Sequence, residues 1–273
     1  MAHSKTGTSY DLTGPIGAPV VVLVHGLGLT RATWAAFVPA LSVEHRVLSY
    51  DLPGHGDSAL PLEVPSLAML SAQLLDLLDE LHIARATIIG FSLGGMINRR
   101  FAIDHPGRVA GLVILNSPHE REPAAQRLVE QRATETGDGG PAANIDSTLA
   151  RWFTPQFLQD APDVVANIRA LVLVNDPVNY TRHRQVLANG VVELIRPVPP
   201  ITAPTLVMTG EHDSGSTPAM AHTISSEIKG AETVIVPGLQ HLGLIERPDL
   251  FIEPILRFLA GVGAQLPEIG ATA

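Results

Sequence analysis

The segment TIIGFSLGGMINRR at residues 87–100 passes from a β-branched apolar run into a serine set among glycines. The apolar run is typical of a buried strand, whereas the residues after the glycines fit a helix. Each glycine costs a helix about 1 kcal/mol relative to alanine, so this cluster needs a physical reason. The Gly-x-Ser-x-Gly pattern supplies one, because it predicts a strained strand-to-helix turn that holds the Ser92 hydroxyl out at the carboxyl end of the strand.

Short apolar runs alternate with segments of helical period on both sides of this turn. Runs rich in Val and Ile, without polar alternation, predict buried strands at residues 20–24, 47–50, 87–89, 112–115, 205–208 and 233–236. Helical periodicity predicts helices at about residues 66–81, 93–104, 218–229 and 248–260, the first with Ser66 as its N-cap. Such alternation predicts parallel strands joined by right-handed crossovers. The predicted fold class is therefore α/β, with a mostly parallel central sheet flanked by helices.

Residues 119–200 interrupt the alternation, because they lack strand patterns and keep only short helical ones. A structureless loop of that length is uncommon inside a compact domain, so we expect an inserted helical subdomain. The prediction is a core domain formed by residues 1–118 and 201–273, with a helical cap at residues 119–200. Residues 261–273, at the end of the chain, are predicted to form a frayed tail.

The composition excludes several classes of protein. The 273 residues are 45% hydrophobic, which is enough for a large core, and the net charge of -9 is spread along the chain. Binding to nucleic acid or to an anionic membrane surface is therefore not expected. The absence of cysteine rules out disulfides and thiolate metal sites. The N-terminus lacks a signal-peptide core and no apolar run has transmembrane length, so the sequence predicts a soluble, cytoplasmic protein.

Ser92 has two interpretations: a nucleophile, or an ordinary N-cap beside a glycine turn. Its position after a strand, before a helix and at the middle of the alternation favours the nucleophile. A serine nucleophile needs a base, which the predicted fold supplies downstream, in the order serine, acid, histidine. Of the 11 histidines, His241 follows the last predicted strand, where a loop can return to Ser92. The other histidines fit surface, helix-end or loop positions.

The orienting acid is expected at the end of an earlier strand. Asp213 follows the strand at 205–208, where it can fix the tautomer of His241 and stabilise the imidazolium. An aspartate turn or helix cap is the alternative explanation for this residue. Glu211 is a rival acid but lies nearer the strand, and the preceding strand ends at Asn116, which is not an acid. Asp213 is therefore the predicted acid.

Acyl transfer also needs two amides that stabilise an oxyanion. One is the backbone N–H of Leu93, directly after the nucleophile, and the other is predicted at Leu27, in the loop after the strand at 20–24. In that loop His25 and Gly26 form a tight turn, which leaves the Leu27 amide pointing inward. We interpret His25 as a structural support of the loop rather than as a second base.

Together these motifs resemble the α/β-hydrolase superfamily. The resemblance covers about residues 18–260. It rests on HGLG at 25–28, DLPGHGDS at 51–58, GFSLGG at 90–95, GEHD at 210–213 and GLQHLGLIERP at 238–248. It implies Ser92 as nucleophile, His241 as base and Asp213 as orienting acid, with the Leu27 and Leu93 amides as the oxyanion hole. The sequence has no metal-ligand constellation and no dinucleotide fingerprint, so no cofactor and no metal are expected.

A narrower resemblance concerns the substrate. Three segments are similar to the 3-oxoadipate enol-lactonase group: RWFTPQF at 151–157, NDPVNY at 175–180 and STPAMA at 216–221. This implies a small lactone or ester, carboxylated in that group, and a cap that acts as a lid. Trp152 and Phe153 are candidate pocket walls, with core packing as the alternative. Arg151 and Arg31 are candidate ligands of a substrate carboxylate, with a surface position as the alternative.

We therefore expect a serine hydrolase that cleaves a small lactone or carboxylic ester through an acyl-enzyme. The same residues fit a carbon–carbon bond hydrolase acting on a vinylogous diketone, or a general short-chain carboxylesterase. A non-catalytic ligand receptor on the same fold is the alternative from another class, because fold does not fix function. In each case the expected partner is a small molecule.

Overall fold

The computed structural model describes residues 1–265, with the backbone alone at positions 136, 138, 264 and 265. Within these residues the strands are β1 (Ala2–His3), β2 (Ser9–Thr13), β3 (Val20–Val24), β4 (Arg46–Tyr50), β5 (Ala86–Phe91), β6 (Val109–Leu115), β7 (Thr205–Gly210) and β8 (Glu232–Val236). They form one sheet in the order β1-β2-β4-β3-β5-β6-β7-β8. β2 pairs antiparallel with β1 and with β4, and the other pairs are parallel. The predicted α/β fold with a mostly parallel sheet is confirmed.

The helices of the described residues are α1 (Phe37–Leu41), α2 (Leu67–Glu80), α3 (Leu93–Asp104), α4 (Pro123–Thr136), α5 (Ile145–Trp152), α6 (Pro155–Asp160), α7 (Pro162–Leu173), α8 (Pro177–Asn189), α9 (Pro218–Ser226), α10 (Gly243–Glu246) and α11 (Pro248–Gln265). Short 3-10 segments lie at Arg31–Trp34, Pro106–Arg108, Gly137–Asn144 and Gly190–Glu193. The predicted N-cap of α2 is confirmed, because the Ser66 hydroxyl accepts a hydrogen bond of 3.1 Å from the Met69 amide.

Three predicted ends differ from the structure by three residues or more. Strand β6 begins at Val109 instead of 112, helix α9 stops at Ser226 instead of 229, and α11 continues to Gln265, so the beginning of the predicted tail is helical. The rest of that tail, at 266–273, lies outside the described residues. No helix in residues 1–265 combines the length and hydrophobicity needed to cross a bilayer.

The central strands are buried on both faces, which explains their continuous apolar sequences. Every residue of β5, β6 and β7 is buried. On α2, residues Leu70, Leu74 and Leu77 recur at helical spacing and join the same hydrophobic core. The helices therefore cover a sheet that has no polar face along its centre.

The parallel strands β3, β5, β7 and β8 end at one edge of the sheet. Their register aligns Val24 with Gly90, and Gly210 with Val236, so the loops that follow these strands start side by side. Ligands of open α/β sheets bind outside the carboxyl ends of the strands. Helices α4 to α8 lie between β6 and β7 in the chain, and we call residues 119–200 the helical insert. Its side chains form walls above this same edge.

Candidate active site

Ser92 lies at the strained turn between β5 and α3. Its backbone has φ 55° and ψ -111°, a conformation that a residue other than glycine rarely adopts. A Cβ atom on Gly90 would lie 2.1 Å from the Gly94 carbonyl oxygen, and one on Gly94 would lie 2.2 Å from the Val24 oxygen. The glycines are therefore required by the close approach of strand, turn and helix. The serine hydroxyl does not cap the helix.

His241 contacts the serine hydroxyl from the loop after β8. Its Nε2 atom lies 3.1 Å from Oγ of Ser92. The imidazole ring also packs 5.0 Å from the Phe91 ring and 6.2 Å from the Trp152 ring, measured between centroids. These aromatic neighbours fix the ring plane while one nitrogen faces the serine.

Asp213 lies on the other side of the imidazole, in the loop after β7. Its Oδ2 atom accepts hydrogen bonds from Nδ1 of His241 at 2.7 Å and from Nδ2 of Asn116 at 2.9 Å. Its Oδ1 atom accepts from the Gly215 and Ser216 amides, each at 2.9 Å. Burial opposes ionisation, but the charge and hydrogen bond of His241, with Asn116 and Ser216, lower the pKa of Asp213. The carboxylate is therefore charged at neutral pH.

Glu211, the rival acid, points elsewhere. Its Oε2 atom accepts a hydrogen bond of 2.9 Å from the Gly238 amide, and about half of the side chain is exposed. Among the described contacts of His241, the acidic partner is Asp213. The structure therefore brings Ser92, His241 and Asp213 together, as the order of the strands predicts, and leaves Glu211 outside.

Two backbone amides beside the serine lack backbone acceptors. Within the described residues, the amides of Leu27 and Leu93 form none of the backbone hydrogen bonds found in turns, loops and caps. The turn before Leu27 is held by His25, whose Nδ1 donates to the Gly26 carbonyl at 2.8 Å and whose Nε2 accepts from the Leu52 amide at 2.9 Å. His25 thus supports the loop, in agreement with its interpretation from sequence. The Leu93 amide belongs to the first turn of α3, where unpaired amides and the helix dipole favour negative charge.

A pocket open to solvent at its mouth lies over these residues, and it encloses about 890 Å³ when the space in the open mouth is included. The core contributes Leu27, Phe91, Ser92, Asp213 and His241, and the helical insert contributes Arg121, Arg132, Arg151, Trp152 and Arg184, among others. Trp152 was a candidate pocket wall and Arg151 a candidate ligand of a substrate carboxylate, and both side chains line the pocket.

Arg31 was the other candidate ligand of a substrate carboxylate, with a surface position as the alternative. It is absent from the described residues that line the pocket. Its guanidinium group pairs with Asp11 at 2.7 Å, with Asp57 at 3.1 Å and with the buried carboxylate of Asp51. These three carboxylates therefore balance the positive charge of Arg31, and the ion pairs stabilise the loop that follows β3.

Phe153 was a candidate pocket wall with core packing as the alternative, and its position favours core packing. The side chain is fully buried in the hydrophobic core and stacks on Phe157, with 5.2 Å between ring centroids. Trp152, its neighbour in the chain, points toward His241 instead. Trp152, at the end of α5, therefore lines the pocket, whereas Phe153, the next residue, packs in the core. The sequence pattern alone did not distinguish these two positions.

Sequence reasoning missed two features of the site. Asn116 was considered only as a position without an acid, yet its amide donates to Asp213. The available signal was its place at the end of β6, directly beside β7 in the sheet. Arg121, Arg132 and Arg184 also line the pocket. No spacing rule connects these three residues, because they come from different parts of the helical insert.

Three buried histidines connect the helical insert to the core. The rings of His25 and His55 are 5.4 Å apart, and those of His55 and His183 are 4.8 Å apart, between centroids. Burial lowers the pKa of each ring, and the pKa of His183 falls to about 4. Among the described side chains, no group of three or more His, Asp or Glu has the arrangement of a metal site. The lowered pKa values keep the three rings neutral at pH 7, and the rings form a packing contact between the insert and the core.

This contact predicts a loss of stability in mild acid. In the unfolded chain His183 is protonated as the pH falls through 6.5, whereas in the folded chain it is protonated only near pH 4. The free energy of unfolding therefore decreases across that interval. Between pH 7 and pH 5 we expect His183 alone to lower the free energy of unfolding by about 2 kcal/mol. Urea titration of the wild type and of His183→Gln should show a smaller loss in the variant. His222→Gln, an exposed control on α9, should behave as the wild type does; equal losses in all three proteins would contradict this account of the cluster.

The fold and site together define a class of protein: an α/β enzyme with a serine, a histidine and an aspartate in hydrogen-bond contact at the carboxyl edge of its sheet. The sequence profile of the family described as "alpha/beta hydrolase fold" matches residues 19–248. The chain belongs to this family, and it is a hydrolase.

Named relatives place it near the enol-lactonases, as the sequence motifs predicted. It is 27% identical, over 89% of each chain, to "3-oxoadipate enol-lactonase 2" of Acinetobacter baylyi. It is 26% identical, over 90% of this chain and 92% of the relative, to "(E)-2-((N-methylformamido)methylene)succinate hydrolase" of the same organism. The crystal structure of the enol-lactonase from Burkholderia xenovorans superposes with a TM-score of 0.84 at 31% identity, over 93% of this chain and 96% of that one.

Proposed function

We propose that the protein cleaves small carboxylic esters or lactones, with Ser92 as nucleophile, His241 as base and Asp213 as orienting acid. The observation that carries the proposal is the unbroken hydrogen-bond chain from Asp213 to His241 to Ser92, at 2.7 and 3.1 Å, beneath an open pocket. The names of the relatives support the same bond type, because an enol-lactonase opens a cyclic ester.

In the proposed reaction, Oγ of Ser92 attacks the carbonyl carbon while its proton passes to Nε2 of His241. The charged carboxylate of Asp213 stabilises the imidazolium through Nδ1–H. The amides of Leu27 and Leu93 donate to the oxyanion of the tetrahedral intermediate. Collapse of this intermediate breaks the C–O bond, and the imidazolium returns its proton to the departing alkoxide. In a lactone that alkoxide stays in the same molecule, so the ring opens.

Water then completes the cycle. His241 takes a proton from a water molecule as its oxygen attacks the acyl carbon, and the second tetrahedral intermediate uses the same two amides. Collapse releases the carboxylate product and restores the Ser92 hydroxyl.

We further propose that the helical insert acts as the lid of this site. The Leu242 amide, next to His241, donates to the carbonyl of Trp152 at 2.8 Å. Glu246 of α10 accepts from the amide and the hydroxyl of Thr154, at 2.8 and 2.7 Å. These bonds fix the insert beside the histidine loop. A lid so placed limits access to the serine and strengthens the electrostatic interactions below it.

A substrate panel tests the proposed function. We expect the highest kcat/KM of the wild-type protein on a lactone or a short ester, such as 4-nitrophenyl acetate, and a lower value on a dienoic diketone. A faster reaction with the diketone would indicate carbon–carbon bond cleavage. Binding of these compounds without turnover of any of them would favour the receptor on the same fold.

A further inference from the structure

The pocket is strongly cationic although the chain is acidic. Four arginines line it, Arg121, Arg132, Arg151 and Arg184, and all belong to the helical insert. Asp213 is the one acidic residue among the described residues that line the pocket, and its carboxylate is hydrogen-bonded to His241. The net charge of the whole chain is -9, so this local excess of positive charge is opposite in sign to that of the molecule.

Three of these guanidinium groups have no carboxylate partner among the described residues. Arg121 donates to the side-chain oxygen of Gln126 at 3.1 Å. Arg151 donates to its own helix, to the Ser147 carbonyl and the Thr148 hydroxyl, each at 3.3 Å. Arg184 lies close to the Tyr180 hydroxyl, and its charge opposes the rise that burial causes in the pKa of that group.

Arg132 differs from these three, because it already has an interaction partner. Elsewhere in the described chain, Arg100, Arg196 and Arg257 all form ion pairs with carboxylates. Arg85 and Arg99 form no such pair either and donate to backbone carbonyls, so what distinguishes the pocket is that three arginines without an ion pair line it together.

Placing these guanidinium groups together has an electrostatic cost. Burial lowers the pKa of Arg151, and the neighbouring charges of Arg184 and Arg132 lower it further. Burial also lowers the pKa of Arg121, although the nearby charge of Glu130 opposes this shift. A buried cation that lacks a counter-ion is unfavourable, and like charges placed together add to that cost. An anionic ligand between the guanidinium groups would remove both contributions.

We infer that the substrate carries two carboxylates besides the bond that is cleaved, and that Arg121, Arg151 and Arg184 bind them above Ser92. The inference rests on the proposed function. One negative charge would leave two of the three guanidinium groups uncompensated, whereas two carboxylates, each accepting from an arginine fork, match the cluster. The three arginines come from the segment before α4, from α5 and from α8. Groups on three separate elements fit two spaced carboxylates better than one compact phosphate.

A charge series of esters tests the inference. The probes are 4-nitrophenyl butyrate, mono(4-nitrophenyl) glutarate and the mono(4-nitrophenyl) ester of tricarballylate, which carry no, one and two free carboxylates. We expect kcat/KM to rise about 10-fold or more with each carboxylate, because charge-assisted hydrogen bonds contribute at least that much. Added salt should reduce the rate on the anionic esters more than on the neutral one.

Matched variants assign the effect to the pocket. In Arg151→Gln and Arg184→Gln, the loss on the dianionic ester should exceed the loss on the neutral ester by about 10-fold, mostly through KM. Arg182→Gln is the control, because Arg182 lies on the same helix as Arg184 but is exposed and is not among the pocket residues. It should keep the wild-type preference.

The outcomes separate this inference from the proposed function. Turnover of all three esters without preference for charge, or equal losses on charged and neutral esters in both variants, would overturn the inference and leave the proposed function standing. Absence of turnover, with calorimetric binding of tricarballylate that is lost in Arg151→Gln, would support the dianion site and contradict the proposed function. Tighter binding of inorganic phosphate than of tricarballylate would overturn the assignment to two carboxylates.

Discussion

Replacing Ser92 by alanine is expected to lower kcat on 4-nitrophenyl acetate by roughly 10⁶-fold, because no other group in the described pocket contacts Nε2 of His241. The loss should appear in kcat rather than in KM, since the amides of Leu27 and Leu93 and the pocket walls remain. Steady-state kinetics of the purified variant measure it. The unfolding transition of the same sample serves as the control for folding.

Retention of more than a few per cent of the wild-type rate by Ser92→Ala, in a protein that unfolds as the wild type does, would contradict the assignment. The reaction would then have to use another nucleophile or a directly activated water molecule. The strained backbone at φ 55° would be left without a catalytic explanation.

Replacing Asp213 by asparagine is expected to lower kcat by about 10⁴-fold. Both oxygens of the Asp213 carboxylate accept hydrogen bonds. One oxygen accepts from the Gly215 and Ser216 amides, and the other accepts from Asn116 and His241. An asparagine has one oxygen, so if that oxygen stays with the two backbone amides, its NH₂ group faces His241. The imidazole then has to accept at Nδ1 and hold its proton on Nε2, where it cannot act as a base toward Ser92.

Glu211→Gln is the matched control for this prediction. Glu211 lies two residues before Asp213, but its carboxylate accepts a hydrogen bond from the Gly238 amide and makes no described contact with His241. We expect its kcat to stay within a few-fold of the wild type, and pH–rate profiles of both variants test the assignment. An unchanged rate in Asp213→Asn, or a comparable loss in Glu211→Gln, would contradict the choice of acid.

The centre of the sheet could be predicted because its strands are buried on both faces and therefore have no polar alternation. The runs at 20–24, 205–208 and 233–236 identify β3, β7 and β8 within two residues at each end. Strands β1 and β2 were missed, because β1 has only two residues and β2, with the sequence SYDLT, alternates polar and apolar residues instead of forming a continuous apolar run. Their antiparallel pairing extends the sheet far from the site.

The positions of Ser92, Asp213 and His241 followed from chain order, because parallel strands bring their carboxyl ends to one edge. Their catalytic roles remain a proposal. The pocket walls could not be predicted in the same way. Arg31 and Arg151 are both arginines beside candidate site loops, yet one pairs with three aspartates and the other faces the pocket. That difference depends on which carboxylates the folded chain brings near each guanidinium group.

The central claim is that Ser92 forms a covalent acyl intermediate, and covalent labelling tests it most directly. The wild type, Ser92→Ala and His241→Ala would be incubated with a fluorophosphonate, and the intact mass and the labelled peptide would be determined. We predict one adduct in the wild type, on the peptide that contains residues 87–100, slow labelling of His241→Ala and none of Ser92→Ala. An unlabelled wild type, or an adduct that persists in Ser92→Ala, would contradict the assignment of Ser92 as the nucleophile.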